Sequence, residues 1–195
     1  MDTPGTQGED YTSRLEQLES ARWKKLLDVQ RPYRWNLRRL DLGATLDVGC
    51  GIGRNLVNLP AGSLGVDHNA ASISTARSRG LDACTTEEFA ARDVAERSFD
   101  SMLLAHVLEH MTPEQGLEVV RSYLPYVSGK VVAICPQERG YRSDDTHVTF
   151  LDAAAMRQIL QDAGLRPVRS YSFPLPRMFG KAFTYNETVV VAHRD

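Results

Sequence analysis

Leu46-Asp47-Val48-Gly49-Cys50-Gly51-Ile52-Gly53-Arg54-Asn55 is the stretch that decides the fold of this chain. Its first residues predict the end of a buried strand, and its glycines predict a sharp turn that leads into a helix near Asn55. Glycine suits such a turn because it has no Cβ, so it accepts positive φ and lets a ligand approach the backbone closely. The stretch therefore predicts a strand, a ligand-binding loop and a helix, in that order.

A second strand and an acidic residue follow at the spacing of a nucleoside site. Leu64-Gly65-Val66 is an apolar run that ends in Asp67, 18 positions after Gly49. An acid about 20 residues beyond a glycine turn can accept hydrogen bonds from both hydroxyls of a ribose. The two motifs together predict a nucleoside-containing ligand at the carboxyl ends of two adjacent parallel strands.

The spacing of the glycines separates two classes of cofactor. The dinucleotide fingerprint is G-x-G-x-x-G, whose third glycine permits close packing of the helix on the strand. In this chain the glycines are Gly49, Gly51 and Gly53, and Arg54 occupies the position of that third glycine. A nicotinamide-dependent oxidoreductase is therefore kept only as an alternative.

The chain resembles the class I S-adenosylmethionine-dependent methyltransferases, and among them the small single-domain members of type 11, over about residues 40–195. Their first motif, (D/E)-x-G-x-G-x-G, is matched by Asp47, Gly49, Gly51 and Gly53, and the acid that ends their second strand is matched by Asp67. The run from Phe99 to His110, with its Leu108-Glu109-His110 ending, is similar to their fourth strand and the segment after it.

The resemblance implies an α/β fold with a doubly wound, Rossmann-like sheet of seven mostly parallel strands. The implied strand order is 3-2-1-4-5-7-6, with the last strand antiparallel. From residue 44 onward, strand and helix patterns alternate, which predicts the same class of fold. We predict strands near 44–48, 63–67, 82–85, 99–104, 130–135, 166–173 and 187–193. We predict helices near 54–59, 70–79, 87–92, 113–124 and 152–163.

The chain divides into three segments. Residues 1–8 are predicted to be disordered. Residues 9–40 are predicted to form an N-terminal helical lid, with an amphipathic helix over 9–29 and a short helix over 33–40. Residues 41–195 form the predicted S-adenosylmethionine-binding methyltransferase domain. Asp152 is the predicted N-cap of the helix over 152–163.

Composition limits the partners and the location of the protein. The 195 residues carry 23 basic and 25 acidic side chains, a net charge of −2 at pH 7, which argues against nucleic acid as a substrate. No apolar run approaches the roughly 20 residues of a membrane span, and the first residues do not read as a secretory signal. Cys50, Cys84 and Cys135 predict reduced core thiols. We therefore expect a cytoplasmic protein, monomeric or homodimeric, with a small-molecule substrate.

The resemblance implies S-adenosylmethionine as cofactor and S-adenosylhomocysteine as product. It places the glycine loop under the methionine part, Asp67 on the ribose diol, and Asp47 where it orients the loop or reaches the amino group through water. The other cofactor contacts predicted in this way are His68, Thr86, Glu87 and Ala105. Thr85 or Thr86 with Glu88 also fits a helix capping box, so the assignment of Thr86 and Glu87 to adenine has a structural alternative.

Candidate catalytic residues follow from the chemistry of methyl transfer. The enzyme must align the acceptor, exclude water and, for a hydroxyl acceptor, remove a proton. Histidine suits that last task, and we predict His106 or His147 as the general base for an O-methyl transfer. Two alternatives stay open: purely structural roles, or a divalent metal site, which the spacing does not favour, so no metal is predicted. The residues of that alternative site are His106, His110, Asp144, Asp145 and His147.

The loops on the substrate side carry three further candidates. Arg139 and Arg177 could bind a carboxylate or phosphate of the acceptor, and Tyr141 lies in the same polar loop as Arg139. Solvated loop charges are the alternative interpretation. The sequence thus predicts a methyltransferase that moves a methyl group from S-adenosylmethionine to a small-molecule hydroxyl. A non-catalytic or regulatory S-adenosylmethionine-binding protein is the main alternative.

Overall fold

Seven strands make up the sheet, and each lies within three residues of its predicted bounds. The strands are β1 (Thr45–Val48), β2 (Leu64–Asp67), β3 (Ala83–Thr85), β4 (Phe99–Ala105), β5 (Val127–Pro136), β6 (Arg166–Phe173) and β7 (Glu187–His193). Their order in the sheet is β3-β2-β1-β4-β5-β7-β6. β1, β2 and β3 pair in parallel, β4 and β5 pair in parallel, and β7 runs antiparallel to both β5 and β6. The predicted Rossmann-like fold is confirmed.

The structure is a computed structural model that describes residues 30–194. The predictions for residues 1–8 and for the helix over 9–29, which makes up most of the lid, lie outside the described residues. The helices are α1 (Arg31–Arg39), α2 (Ala70–Ser78), α3 (Thr86–Ala91), α4 (Pro113–Tyr123), α5 (Glu138–Tyr141) and α6 (Ala153–Asp162). Short 3-10 turns cover Leu56–Asn58, Leu108–His110, Leu124–Tyr126 and Arg177–Lys181. The chain forms two compact units that divide between Asp93 and Val94.

The first unit holds β1, β2 and β3 with α1, α2 and α3. β1 and β2 are buried along their whole length, as the apolar runs predict. The register pairs Val48 with Val66 and Asp67 with Thr85. Because the three strands are parallel and in this register, their carboxyl ends lie at one edge of the unit. That edge carries the glycine loop and the predicted ribose acid.

Within residues 30–194, the predicted helix over 54–59 is the one expected element that the structure replaces. The loop leads instead into a single 3-10 turn, Leu56–Asn58. Asn55 gives no side-chain cap to that turn, and Leu59, next to Pro60, is already extended. A proline disfavours helical backbone at the residue before it, so the segment has no length for a full helix. Leu56 is buried and anchors the turn in the core.

The second unit holds β4, β5, β7 and β6 with α4, α5 and α6. The side chains at the centre of β4 and β5 are fully buried, among them Leu103 and Val132. Asp152 caps α6 as predicted, with its Oδ1 accepting hydrogen bonds from the N–H groups of Ala154 and Ala155 at 2.9 Å each. Within residues 30–194, none of the helices combines the length and the apolar character that a membrane span requires.

Candidate functional site

The glycine loop after β1 is held by backbone hydrogen bonds to β2. The N–H groups of Gly49 and Cys50 both donate to the carbonyl oxygen of Val66, at 2.7 and 3.1 Å. Gly49, Gly51 and Gly53 have φ values of 73°, 53° and 83°, a region that side chains with a Cβ rarely enter. A Cβ at Gly53 would also lie 2.3 Å from Cδ1 of Leu81. The positive φ is what favours glycine at position 53, since the Leu81 methyl group could move aside.

Asp67 ties this loop to the end of β2. Its Oδ2 accepts the N–H of Gly51 at 2.8 Å, and its Oδ1 accepts the N–H of Asn69 at 2.9 Å. A carboxylate has about four lone-pair sites, so each oxygen keeps capacity for one more hydrogen bond. This arrangement holds the two oxygens in one orientation and suits a diol with two adjacent hydroxyl donors.

Asp47 is a buried carboxyl with an unsatisfied oxygen. It is 1% exposed, and among residues 30–194 its Oδ2 has no hydrogen-bond partner. Burial, and then the charge of Asp67, raise the pKa of Asp47 to about 8. A buried carboxylate without a partner is costly unless a cation or a donor reaches it. The ammonium group of the methionine moiety of S-adenosylmethionine is such a donor, so the residues at this loop fit that cofactor.

The residues predicted on the adenine side surround the start of α3. Thr85 and Glu88 form the full capping box, so that structural interpretation is confirmed. Thr86 begins α3, and Glu87 is exposed beside it. Its own backbone N–H, followed by the hydroxyls of Thr85 and Thr86, lowers the pKa of Glu87. His68 is half exposed, with its Nδ1 3.5 Å from Oδ1 of Asp67.

Gly65 and Asn69 support the loop, and sequence reasoning assigned neither a role. A Cβ at Gly65 would lie 2.7 Å from Sγ of Cys50 and 2.8 Å from Cδ2 of Leu56. The side chain of Asn69 caps α2 by accepting the N–H groups of Ala71 and Ser72. The role of Asn69 could have been predicted from the sequence, because an asparagine just before a helical pattern is a common N-cap.

In the second unit, His106 lies between two carboxylates. It directly follows Ala105, the last residue of β4, and has a φ of 61°, which is uncommon for a residue with a side chain. Its Nδ1 is 3.1 Å from Oε1 of Glu109, and its Nε2 is 2.8 Å from Oε1 of Glu187. Desolvation opposes the charge, but the hydrogen bonds to the two carboxylates outweigh it and raise the pKa of His106 to about 10. Both ring nitrogens therefore donate, and neither is free to take a proton.

Glu109 is the most deeply buried acid of this group. It has no exposed surface, and its Oε2 has no hydrogen-bond partner in the part of the chain that the structure describes. Burial opposes its charge, but the hydrogen bond from His106 and the charge of that imidazolium lower its pKa overall. Glu109 is therefore ionised, with one oxygen engaged and the other unsatisfied.

His110 and His147 lie next to Glu109. Nδ1 of His110 is 3.1 Å from the carbonyl oxygen of Thr146, and Nδ1 of His147 is 2.7 Å from the carbonyl oxygen of Tyr141. The two imidazole centroids are 4.9 Å apart. One potential ligand atom from each of Glu109, His110 and His147 lies within 4.8 Å of the other two.

Asp144 and Asp145, which the sequence placed in an alternative metal site, lie outside this cluster. Asp144 stabilises the loop turn instead, since its Oδ1 accepts the N–H of Thr146 at 3.1 Å and its hydroxyl at 2.8 Å. Asp145 is exposed.

The three predicted acceptor contacts differ in their surroundings. Both Nη atoms of Arg177 donate to the carboxylate of Glu138 in a bidentate ion pair. The ring of Tyr141 stacks on the imidazole of His147, with centroids 5.4 Å apart and an interplanar angle of 15°. Arg139 is exposed, and its guanidinium has no ion pair with any residue of the described range.

The three cysteines are buried free thiols. Burial, followed by the charges of Asp47 and Asp67, raises the pKa of Cys50, which belongs to the glycine loop. Burial, followed by the charge of Glu109, raises the pKa of Cys135 well above its usual range. Neither thiol is a nucleophile at neutral pH, because the thiolate is the reactive form.

Comparisons with known proteins agree with the fold and with the glycine motif. Residues 46–125 match the model of a family described as a methyltransferase domain. A search of curated proteins finds no match. Among solved structures, an S-adenosylmethionine-dependent methyltransferase from Archaeoglobus fulgidus is 18% identical, with a TM-score of 0.66 over 88% of this chain and 97% of that one.

Two further solved structures have different acceptors in their descriptions. Magnesium protoporphyrin IX methyltransferase from Synechocystis, solved with bound S-adenosylhomocysteine, is 15% identical, with a TM-score of 0.62 over 89% of this chain and 93% of that one. A possible histamine N-methyltransferase from Thermotoga maritima is 16% identical, with a TM-score of 0.65 over 95% of this chain and 98% of that one. At these identities the similarity shows the fold and leaves the acceptor open.

Proposed function

We propose, from the premise that this chain belongs to the class I S-adenosylmethionine-dependent methyltransferases, that its acceptor is the hydroxyl group of a small molecule. The cofactor supplies an electrophilic sulfonium methyl group. The residues of the chain must hold that cofactor, align the acceptor oxygen and remove the hydroxyl proton. The first unit is assigned to the cofactor, and the second unit is assigned to the acceptor and its proton.

The cofactor assignment rests on the edge of the first unit where β1, β2 and β3 end. Asp67 is assigned to the ribose diol, because its two fixed oxygens each keep acceptor capacity. Asp47 is assigned to the ammonium group, because its Oδ2 is buried without a partner among the described residues. His68, Thr86 and Glu87 are assigned to the adenine side, close to the cap of α3.

Two further residues of the second unit, Ala105 and His106, are assigned from the family resemblance together with their contacts. Ala105, a small residue at the end of β4, is assigned to the space beside the transferred methyl group. His106 is assigned a positioning role in place of the base role, because both of its ring nitrogens contact carboxylates.

The observation that supports an oxygen acceptor is the hydrogen bonding of His147. A carbonyl oxygen can only accept, so the contact with Tyr141 requires the proton of His147 to be on Nδ1. In the neutral imidazole, Nε2 then carries the lone pair and is able to accept the acceptor's hydroxyl proton. An amine acceptor with its own lone pair has less need of such a base, which favours the hydroxyl.

Charge and loop residues support a small acceptor. A net charge of −2 does not suit a nucleic acid. Arg139 is exposed beside Tyr141 and is assigned to an anionic group of the acceptor, whereas Arg177 already neutralises Glu138. Tyr141 is assigned to the acceptor's wall and to the orientation of His147.

A matched set of acceptors tests this proposal. The protein is incubated with S-adenosylmethionine and with aromatic acids that differ only in a phenol, aniline or thiophenol group, and the products are identified by mass spectrometry. We expect an O-methyl ether from the phenol. His147→Ala should lower kcat about 100-fold or more, in the range of a lost general base. His193→Ala, a histidine at the end of β7, is the matched control. Preferential methylation of the aniline would refute the oxygen assignment.

A further inference from the structure

We propose that Glu109, His110 and His147 form a binding site for one divalent transition-metal ion. The three residues come from the 3-10 turn after β4 and from the loop after α5. One potential ligand atom of each lies within 4.8 Å of the other two. Among the described residues, no hydrogen bond or ion pair joins the three side chains to one another. Their proximity is therefore not explained by a direct polar contact between them; the two imidazole rings contact each other with centroids 4.9 Å apart.

The unsatisfied oxygen of Glu109 is the strongest sign of a missing cation. Glu109 is 0% exposed, its Oε1 is engaged by His106, and its Oε2 accepts no N–H or O–H hydrogen bond in the described range; the weakly donating thiol of Cys135 also interacts with this carboxylate. Buried polar atoms nearly always have a partner, and a buried charge needs a counter-charge or a metal. Water cannot solvate this oxygen from the surface, because the side chain is fully enclosed.

The tautomers of both histidines are set for metal binding. Each ring uses Nδ1 to donate to a backbone carbonyl, His110 to Thr146 and His147 to Tyr141. In the neutral form of each ring, Nε2 is then the nitrogen with the lone pair and the one that could bind an ion. Metal-binding histidines almost always donate their other ring N–H to a carbonyl, a carboxylate or water, which fixes the ring and raises its basicity. The same arrangement is present at both rings.

The backbone holds the two halves of the site together. The N–H groups of Val148 and Thr149 donate to the carbonyl oxygen of Glu109, at 2.7 and 3.1 Å. Asp144 closes the turn just before His147 by accepting from Thr146. The loop that carries His147 is therefore fixed directly to the residue that carries the carboxylate. The backbone on both sides of the site is therefore fixed by hydrogen bonds, and only the side chains need to move when an ion binds.

The donor set indicates which ions fit. Two imidazoles and one carboxylate suit Zn²⁺, Fe²⁺ or Mn²⁺ and are a poor match for Ca²⁺, which prefers oxygen ligands. In a tetrahedral site with Zn–N and Zn–O distances of about 2.0–2.2 Å, ligand atoms lie about 3.4 Å apart, so the three side chains must close by about 1–1.5 Å when an ion binds. Three protein ligands leave an open position, as in catalytic rather than structural sites.

The open position gives the ion a role that rests on the function proposed above. A hydroxyl coordinated to a divalent ion has a lowered pKa, so it loses its proton to solvent and presents an alkoxide or phenolate oxygen. With the ion bound, Nε2 of His147 is a ligand and no longer a base; the hydroxyl acceptor of the proposed function is kept, and the ion replaces His147 as the group that promotes the loss of its proton. Acceptors with a second oxygen beside the hydroxyl could chelate the ion and would be preferred.

Zinc titration of the metal-stripped full-length protein tests the site directly. Zn²⁺ uptake is measured against a competing chromophoric chelator, and cofactor binding is measured on the same samples by calorimetry. We expect one Zn²⁺ per chain. His110→Ala and His147→Ala should each weaken binding by more than about 100-fold, exceeding the loss expected from an outer partner. His193→Ala is the matched control and should retain the wild-type affinity.

The outcomes separate the metal proposal from the proposed function. Co²⁺ substitution adds a spectroscopic readout, since the visible absorption of the bound ion should change in His147→Ala and stay constant in His193→Ala. Equal Zn²⁺ affinity in all variants, or no stoichiometric uptake, would overturn the metal site while cofactor binding stays intact. Failure to bind S-adenosylmethionine would overturn the cofactor assignment whatever the metal result.

Discussion

The two candidate sites differ in the groups that hold them together: backbone N–H groups in the first unit and side chains in the second. In the first unit, backbone N–H groups bind one carboxylate, and the donors from Gly51 and Asn69 lie within 16 positions of Asp67. In the second unit, side chains bind side chains, and the partners His106 and Glu187 are 81 positions apart. A site built from backbone and glycine is visible in local sequence, whereas a site built from distant side chains is visible only once the strands have paired.

The two sites also treat a buried carboxyl group in opposite ways. Asp47 and Glu109 each have one buried oxygen without a partner among the described residues. Burial and the neighbouring Asp67 raise the pKa of Asp47 to about 8. Burial also opposes the charge of Glu109, but the hydrogen bond and the charge of His106 lower its pKa overall. The neighbour's charge decides the ionisation, so the first acid is titratable near neutral pH and the second stays an anion that can ligate a metal.

The largest effect is expected for Asp67→Ala. The variant removes both of the oxygens assigned to the ribose and the acceptor of the Gly51 N–H. Two hydrogen bonds to a charged group contribute about 1.5–3 kcal/mol each, so the affinity for S-adenosylmethionine should fall by about 1,000-fold. Calorimetry measures the affinity, and circular dichroism checks that the fold is kept.

Asp82→Ala is the control for Asp67→Ala. Asp82 is an exposed carboxylate just before β3, so the variant makes the same chemical change without touching the loop. Its cofactor affinity should equal that of the wild type. If Asp67→Ala binds the cofactor within about fivefold of the wild type, the assignment of Asp67 to the ribose is refuted.

The buried Asp47 predicts how stability depends on pH. Its pKa in the folded protein is about 8, above the ordinary 3.8 of the unfolded chain. Its contribution to stability is therefore complete below pH 3.8 and is lost as the pH rises through about 8. Asp47→Asn should remove this loss, which amounts to about 5 kcal/mol between pH 4 and pH 8.

Urea unfolding at a series of pH values measures the difference between the wild type and Asp47→Asn. The difference curve cancels the titration of all other groups and isolates the contribution of position 47. A flat difference curve from pH 4 to pH 8 would mean that Asp47 titrates normally. That result would refute the assignment of its buried oxygen as the acceptor for an ammonium group.

Most of the fold was predictable because its signals are local. The strand bounds follow from apolar runs bounded by turn residues, and Asp152 was identified as an N-cap from its position before a helical pattern. The glycine loop and Asp67 were found from their spacing alone. The helix after the loop was wrong for a local reason too, since Pro60 leaves no length for it.

The second site could not be predicted in the same way. Glu109 is part of a segment with a recognised pattern, but its burial and its contact with His106 depend on tertiary packing. Glu187 is the first residue of β7, and a charged residue at the start of a strand is normally expected to face solvent. The antiparallel pairing of Pro136 with Glu187 brings that carboxylate to the end of the sheet where His106 lies. No spacing in the sequence encodes this contact.

A smaller effect is expected from the carboxylate that sequence reasoning missed. Glu187→Ala removes the acceptor of Nε2 of His106, a charged hydrogen bond at 2.8 Å. The imidazole is 45% exposed, so water screens this ion pair, and the free energy of unfolding should fall by about 1 kcal/mol. Glu187→Gln keeps an acceptor oxygen and should lose less than half as much. Equal stability of the wild type and Glu187→Ala would show that His106 is held by Glu109 alone.

The smallest effect is expected at the surface of the second unit, where Arg177 pairs with Glu138. The Arg177 side chain is 49% exposed, so water screens the pair and a coupling energy of about 0.5 kcal/mol is expected. A double-mutant cycle with Arg177→Ala and Glu138→Ala in urea unfolding measures that coupling.

The Arg177→Ala variant also separates two possible roles of the arginine. If Arg177 serves only the salt bridge, KM for an anionic acceptor stays unchanged. If Arg177 binds the acceptor, KM rises about tenfold, which is the effect of losing one charged hydrogen bond. Because Glu138 already neutralises the charge of Arg177, we expect KM to stay constant in Arg177→Ala. Arg139 has no such ion pair in the described range, so we expect KM to rise in Arg139→Ala.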